Sequence, residues 1–450
     1  MSLPPTTVPP ADEAPPRRER GRDDACPGAL RLHSADDGSL ARVRTPGGLL
    51  TVRQAQALAR VSEELGDGGL DLTSRGNLQL RGLAATCGGE LAAGLRDAGL
   101  LPSERYDRVR NIVASPLSGL DGAGYGDVTA WTRELDAALC GGAWEELSGL
   151  SGRFLFAMDD GRGDVAALSA DVTLIATGDG GAVLRVGSGA DGVALEVRAR
   201  DVPRAAALAA VEFLARASGT RAWRVRDLPA QHAVTVDGLA ARLADEGVEA
   251  ARIGHERPSD APGTPPAPGV VSGPDGRCAV SVLVPLGRVR AAQWRLLAAL
   301  ASRGGSGELR VTPWRGVVLP GFTADSAAAA AREVTDAGLV TEPDSPWAGV
   351  GACTGRPGCA KSLADVRAHA TRAVAGTPRS PGAPPVYFSG CERRCGHPGG
   401  HWVDALATSA TDYRLTVRDT REPDGVTGGG VMDVAAEQLA DAVAAARGTA

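Results

Sequence analysis

The sequence predicts an α+β protein built around a duplicated unit, and two observations carry that expectation. A run of strand, helix, strand and helix signals begins near residue 41, and its turn and cap residues return at a constant spacing of 239 residues. Pro46, Gly48, Gln54, Leu58, Thr73, Gly82, Gly99 and Leu100 recur without a gap as Pro285, Gly287, Gln293, Leu297, Thr312, Gly321, Gly338 and Leu339. Such self-similarity is the mark of repeated structure. The second observation is a set of alternating segments between the copies, at 172–176, 182–186 and 193–197, which read as strands of a separate, larger domain.

Taken in order, residues 1–27 are rich in Pro, Arg, Asp and Glu and read as a disordered tail rather than a signal peptide. Residues 41–45 alternate like a strand and run into the turn Pro46-Gly47-Gly48. Thr51 and Gln54 have capping-box spacing, and Val52, Ala55, Leu58, Val61 and Leu65 keep a helical period up to Gly66. Residues 70–73 and 78–80 form a strand pair, and a helix over 90–98 is closed by Gly99 at C′. In the middle region Gly-Asp-Gly-Gly is a hairpin turn, and a helix begins near Pro203 and runs through Leu208, Val211 and Leu214. Residues 255–276 read as a Pro-rich linker with no means of building a core. After the second copy come a short helix over 363–373, a Pro-rich loop over 376–385, a buried strand at 386–388, a strand at 413–417 and a final helix for which Asp433 is the expected cap. The organisation expected is a tail (1–27), a first half (28–103), a first larger domain (104–254), a linker (255–276), a second half (277–342) and a cysteine-bearing domain (343–450).

With 450 residues and 43 % apolar content, the chain can bury several cores. A net charge of -6 gives no reason to expect nucleic-acid binding, and no apolar run approaches the ~20 residues of a membrane span. A cytoplasmic location is expected, where clustered cysteines bind metal more often than they form disulfides. All but one of the 48 basic residues are arginine, Lys361 being the exception. A polyanionic ligand would therefore be held by guanidinium forks, which pair with carboxylates bidentately.

Four of the eight cysteines cluster late in the chain. Cys353 and Cys359 form C-x5-C, and Cys391 and Cys395 form C-x3-C, with Gly or Pro beside the thiols. Four thiolates on two short loops are what an iron–sulfur cluster requires, each iron taking one terminal sulfur. Zinc and buried free thiols are the alternatives, although zinc knuckles are usually C-x2-C. Cys26, Cys87, Cys140 and Cys278 stand alone and read as small buried hydrophobes. The repeat offset sets Cys353 opposite Ala114, so the loop carrying Arg110 and Asn111 is expected to face the cysteine loop across a pseudo-twofold axis. His397, His401 and Asp404 follow Cys395; His plus carboxylate is a ligand set for iron, with ordinary loop histidines as the alternative.

These residues resemble the siroheme-dependent sulfite and nitrite reductase superfamily over nearly all of the chain after residue 28. Arg42-Val-Arg-Thr-Pro-Gly-Gly is similar to its R-x-R-x-P-G-G segment, Thr73-Ser-Arg75-Gly-Asn-Leu-Gln79-Leu-Arg81-Gly82 to its T-N-R-Q-x-x-Q-x-H-G segment, and Arg110-Asn111 to its R-N pair. The resemblance implies duplicated ferredoxin-like halves alternating with two α/β sulfite-reductase-type domains. It further implies a 4Fe-4S cluster on the four cysteines and tetrapyrrole carboxylates bound by Arg42, Arg75, Gln79, Arg81 and Arg110, with Arg153 reaching the same site. Three departures matter. Leu150-Ser-Gly-Arg153-Phe154-Leu155 stands where the reductases have a basic pair that activates a small oxyanion, Arg81 replaces a histidine, and Glu392 and Arg393 replace Pro and Asn between the last two cysteines. These departures resemble the branch of the superfamily that belongs to aerobic cobalamin biosynthesis. That branch implies a monooxygenase acting on precorrin-3A, with dioxygen, a non-haem iron and an external donor, either an NAD(P)H-linked reductase or a ferredoxin. Two rivals stay open: a siroheme-dependent reductase, and an iron–sulfur protein that only transfers electrons.

Overall fold

The structure, a computed structural model, describes residues 27–187, 192–253, 264–375, 382–419 and 431–448. The first half comprises β1 (His33–Ala35), β2 (Gly38–Val43), β3 (Leu49–Thr51), α1 (Val52–Glu64), β4 (Gly69–Leu72), β5 (Leu78–Leu83) and α2 (Gly88–Asp97). A larger domain follows, with β6 (Ile112–Ala114), α3 (Thr129–Cys140), β7 (Phe156–Asp159), β8 (Val172–Ala176), β9 (Gly181–Val186), β10 (Val193–Arg198), α4 (Val202–Ala217), α5 (Val236–Asp245) and β11 (Ala250–Arg252). The second half repeats the first as β12 (Gly269–Ser272), β13 (Cys278–Leu283), β14 (Arg288–Arg290), α6 (Ala291–Arg303), β15 (Glu308–Val311), β16 (Gly316–Phe322) and α7 (Ala324–Asp336). The last domain holds β17 (Val350–Ala352), α8 (Val366–Val374), β18 (Val386–Ser389), β19 (His401–Ala407), β20 (Asp412–Asp419), β21 (Met432–Ala435) and α9 (Leu439–Gly448).

Part of the local chemistry of the repeat recurs in both halves. Gln54 Oε1 accepts the Thr51 N–H at 3.0 Å, and Gln293 Oε1 accepts the Arg290 N–H at 3.0 Å, so both helices share this half of the capping box, while only Thr51 returns a side-chain bond, to the Gln54 N–H. Both second helices end alike: Gly99 and Gly338 take positive φ, and the following Leu100 and Leu339 N–H groups return to Leu95 O and Val334 O.

The halves are tied by exchange. β3 leaves its own sheet and pairs with β15, while β14 crosses to pair with β4, giving the strand orders β1-β2-β5-β4-β14 and β12-β13-β16-β15-β3. The turn before β3 lies so close to the other half that a Cβ on Gly48 would sit 1.9 Å from Val311 O. Between the sheets α1 packs on α6. Ala55 and Trp294, equivalent positions of the repeat, meet there: the fully buried indole donates its N–H to Ala55 O at 2.9 Å. One apolar core results, in which Leu58, Leu80 and Val43 share packing with Leu297, Leu319 and Val280.

The two larger domains are also built alike. β6, β7 and β8 are mutually parallel, with β9, β10 and β11 added antiparallel; β17, β18 and β19 are parallel, with β20 and β21 added antiparallel. β6 and β17 occupy equivalent edge positions, as the offset between Ala114 and Cys353 requires.

Three expectations change. Part of the linker expected over 255–276 is an edge strand, since β12 pairs with β13 through Val270 and Val271; residues 254–263 lie outside the described residues. Asp433 does not cap the last helix: it lies in β21 and forms an ion pair with Arg414, and α9 starts only at Leu439. The helix expected over 363–373 begins later, at Val366, because the Asp365 carboxylate accepts the Ala368 N–H at 3.0 Å and fixes its start there. Residues 1–26 of the expected tail and 376–381 of the loop expected over 376–385 lie outside the described residues.

Replacing Trp294 by Ala removes both the packing between α1 and α6 and one buried hydrogen bond. Denaturant unfolding of this variant is expected to show a loss of about 3–5 kcal/mol for the unit formed by the two halves.

Candidate functional site

Four segments singled out in the sequence are joined by one buried hydrogen-bond chain. Thr45 Oγ1 donates to Gly76 O at 2.6 Å, and the Thr45 N–H donates to Asn77 Oδ1 at 3.1 Å. The Asn77 amide donates to Asn111 Oδ1 at 2.9 Å, and the Asn111 amide donates to Phe154 O at 2.9 Å. Arg44, 1 % exposed, adds a bond to Gly152 O at 3.3 Å. The Arg42–Gly48 segment, the Thr73–Asn77 turn, the Arg110-Asn111 pair and the Ser151–Phe154 loop are thereby held in one register. Thr45 and Asn77 had not been singled out from the sequence. Their polar side chains in buried turns are the signal that marks them, because a buried amide must find partners.

The first sheet turns a polar row toward the last domain. Arg42, Gln79, Asp71 and Arg288 are cross-strand neighbours on β2, β5, β4 and β14, and Arg81 lies two residues beyond Gln79 on the same face. Arg42 donates to Gln79 Oε1 at 3.2 Å, and Arg288 donates to Asp71 at 3.2 Å. Arg367 of α8 reaches this row, donating to Asp71 at 3.0 Å and to Cys353 O at 3.3 Å. Arg81, 4 % exposed, forms a bidentate pair with Asp37 at 2.8 Å and donates to Gly358 O at 2.6 Å. The row thus abuts the cysteine loops.

Cys353 directly follows β17 and Cys391 lies two residues past β18. These are the carboxyl ends of parallel neighbours, where open α/β sheets bind their ligands. The loops are latched by Leu363 N–H on Gly390 O at 2.8 Å, while the Gly390 N–H points at Cys353 Sγ at 3.2 Å. A Cβ on Gly390 would sit 1.9 Å from Ser362 Oγ, so the close approach depends on glycine. All four thiols are free. Burial pushes the Cys353 thiol above its ordinary value; the Gly390 and Gly355 N–H groups oppose this, and the neighbouring Cys391 and Cys359 add to it. Mutually repelling thiolates served by backbone N–H donors fit a cationic iron–sulfur core, which neutralises them together. Tyr387 stands behind the second loop, its hydroxyl donating to Cys395 O at 2.6 Å; burial raises that hydroxyl's pKa well above the ordinary range.

Other expected residues are placed differently. Arg110, 4 % exposed, is turned toward α3, where its fork is filled by Asp136 at 2.6 and 2.7 Å and by Leu100 O at 3.1 Å. Its loop holds the position equivalent to the cysteine loop, yet the guanidinium serves that domain's interior. Arg153 is exposed, with its guanidinium 4.4 Å from the centre of the Trp223 ring. Arg75 is half-buried in the Thr73–Asn77 turn. Lys361 is exposed between Cys359 and α8. Among the lone cysteines, Cys278 is buried, Cys87 and Cys140 are half-buried, and Cys26 lies outside the described residues. His397, His401 and Asp404 do not form an iron site. His401 and Asp404 project from opposite faces of β19, the Asp404 carboxylate accepts from Arg394 at 2.5 Å and Arg418 at 2.8 Å, and His397 stacks on Trp402.

At the end of β7, in the position equivalent to the end of β18, three buried carboxylates converge within 4.8 Å: Asp159, Asp160 and Asp164. Asp159 accepts the N–H groups of Gly161, Gly163, Val165 and Ala166, and Asp160 pairs with Arg162 at 2.7 Å. Asp164 accepts from the Ser115 hydroxyl at 2.6 Å. Burial pushes Asp164 up to about 7; the Ser115 bond opposes the rise, and Asp159 and Asp160 reinforce it.

The two halves define the class. Residues 33–97 and 272–337 each match the nitrite/sulfite reductase ferredoxin-like half domain. Along most of its length the chain is similar to a particular protein, precorrin-3B synthase of Sinorhizobium sp, with 27 % identity over 383 residues covering 84 % of this chain and 79 % of that one. The ferredoxin–nitrite reductase of Synechococcus elongatus is 37 % identical over 127 residues, which are 27 % of this chain and 25 % of the relative. The chloroplastic ferredoxin–nitrite reductase of Zea mays is 27 % identical over 79 % of this chain and 67 % of its own. In fold, the chain matches the Mycobacterium tuberculosis NirA protein with a TM-score of 0.67 at 20 % identity, covering 90 % of this chain and 79 % of that one.

The raised Asp164 makes stability depend on pH with a definite sign. Its contribution is fully present below the unfolded carboxylate pKa of about 3.9 and is lost as pH rises through the folded value of about 7. Unfolding free energy is expected to fall between these limits by at most about 1.4 kcal/mol per pH unit from this group. Asp164→Asn should flatten the profile measured by denaturant titration at several pH values.

Proposed function

We propose that the chain is a monooxygenase of the precorrin-3B synthase type, acting on precorrin-3A. The observation that carries this reading is Leu155. It stands where the reductases of the superfamily have the second member of their basic pair, and it is 3 % exposed, packed with Val113, Ala157, Val165 and Ala170. An apolar side chain there neither neutralises nor protonates a small bound oxyanion. The neighbouring Arg153 is engaged with Trp223. The similarity to precorrin-3B synthase over 84 % of the chain supports the same reading.

The substrate is a modified tetrapyrrole rich in carboxylates, and the polar face of the first sheet suits it. Arg42 and Arg75 offer guanidinium forks, and Gln79, with its carbonyl held by Arg42, has its amide N–H groups left as donors. The network through Thr45, Asn77 and Asn111 fixes the segments that carry these groups, so binding does not have to order them. Arg81 and Arg110 act one layer back, through Gly358 and through α3.

Cys353, Cys359, Cys391 and Cys395 would hold a 4Fe-4S cluster, which when bound supplies one-electron transfer. The overall reaction takes one molecule of dioxygen and two electrons from an external donor. One oxygen atom enters the substrate as a hydroxyl beside a meso carbon, a side-chain carboxylate closes a lactone, and the other oxygen leaves as water. No step is assigned to His397, His401 or Asp404. No helix among the described residues is long and apolar enough to cross a membrane.

Anaerobic purification followed by absorption spectroscopy and iron analysis tests the proposal. A broad iron–sulfur shoulder and oxygen-dependent conversion of precorrin-3A are expected; a sharp haem-like band with sulfite or nitrite turnover would establish a siroheme-dependent reductase instead. Cys391→Ser should abolish the iron–sulfur absorption. Arg75→Ala should weaken precorrin-3A binding by roughly 10- to 100-fold, the worth of one charge-assisted bond, while leaving that absorption intact.

A further inference from the structure

The turn between β15 and β16 keeps the threonine of its counterpart in the first half (Thr312 for Thr73) but changes the residue at its left-handed position. Gly76 (φ +66) is replaced by Arg315, which keeps the left-handed conformation with φ 61. A non-glycine residue rarely adopts this region, and such strain is retained where the side chain has a task. The Arg315 side chain crosses from the second half into the last domain along a track cleared by glycines. A Cβ on Gly287 would lie 2.5 Å from Arg315 Cδ, one on Gly351 would lie 3.5 Å from Nη1, and one on Gly396 would lie 3.2 Å from Nη2. At the end of this track Nη2 donates to Gly396 O at 2.9 Å, directly after Cys395, and the guanidinium lies 5.5 Å from the centre of the Tyr387 ring. Tyr387 in turn donates its hydroxyl to Cys395 O.

Four arginines thus bond to backbone carbonyls at or beside the cysteines: Arg81 to Gly358 O, Arg367 to Cys353 O, Arg394 to Glu392 O and Arg315 to Gly396 O. Three of them carry carboxylate partners, Asp37 for Arg81, Asp71 for Arg367, and Glu392 and Asp404 for Arg394. Of these four, Arg315 alone has no carboxylate partner among the described residues, so its charge is not locally cancelled.

We propose that Arg315 is the positioning residue that sets the reduction potential of a cluster held by the four cysteines. This rests on reading those cysteines as cluster ligands. On reduction a 4Fe-4S cluster with four thiolates gains one electron and goes from an overall charge of about -2 to about -3. An uncancelled guanidinium held beside the Cys391–Cys395 loop stabilises the more negative form and raises the potential. The bonds to Gly396 O and the Tyr387 ring hold it at a fixed place.

The test is a dithionite titration of anaerobically purified, iron- and sulfide-reconstituted full-length protein, followed by electron paramagnetic resonance, with iron and acid-labile sulfide measured in parallel. Arg315→Gly restores the residue found at the equivalent turn, relieves the strain and removes the charge; Arg315→Gln removes the charge alone, and Arg315→Lys keeps it. The Gly and Gln variants are expected to load the cluster fully and to lose about tenfold in the reduction equilibrium, a downward shift of about 59 mV for one electron. Arg315→Lys should stay near wild type. A full cluster with unchanged potential in the Gly and Gln variants overturns the proposal, as does loss of the cluster from folded Arg315→Gly, or a shift in Arg315→Lys as large as in Arg315→Gln. A wild-type protein that binds no cluster overturns the ligand reading itself, which the iron and sulfide content reveals separately.

Discussion

The reciprocal exchange of β3 and β14 is the constraint on which the rest of the molecule depends. Each is three residues long, too short to hold a place by its own packing, and each completes the edge of the sheet that belongs to the other half. The exchange fixes the halves face to face and brings α1 onto α6. It also decides where the two larger domains attach, because β6 and β17 contact the turns that immediately precede the exchanged strands. A shift of one residue in either pairing would reverse the faces of the short strands and carry these turns with them.

From this frame the site inherits an asymmetry that the duplication conceals. The chain offers two equivalent positions at the ends of parallel strands. One became the cysteine loops, served by N–H groups and by arginines from outside. The other became a set of three carboxylates, of which Asp159 is satisfied by backbone N–H groups and Asp160 by Arg162, leaving Asp164 to take up a proton near neutral pH. Burial drives both outcomes, since packed thiolates and packed carboxylates each need a proton or a cation. The halves diverged in the same way at Gly76 and Arg315, where one backbone conformation is kept and only one copy carries a side chain.

Much of this was legible in the residues. The capping box at Thr51, the glycine ends of α2 and α7 and the repeat offset are local signals, and the structure places each where expected. The strand exchange was not legible, because three residues carry no periodicity and their partners lie more than two hundred residues away. The arginines were legible as a group but not one by one. Whether an arginine is engaged within the fold depends on carboxylates supplied by remote elements: Asp37 takes Arg81 and Asp136 takes Arg110. The pairing of His401 with Asp404 failed for a simpler reason, since a spacing of three residues on a strand points the two side chains to opposite faces.

The exchange also has a consequence for the order of events at the ribosome. β4 emerges long before Arg288–Arg290 exists, so the first sheet stays open along one edge while the whole intervening domain is synthesised and folds. An unpaired hydrophobic edge is a template for wrong pairing, and contacts of such long range close slowly. The cysteine loops come later still, and the sheet face against which they pack is complete only once β14 has docked. Closure of the cysteine loops is therefore the last act of a folding process whose first product must wait, unfinished, for its missing strand.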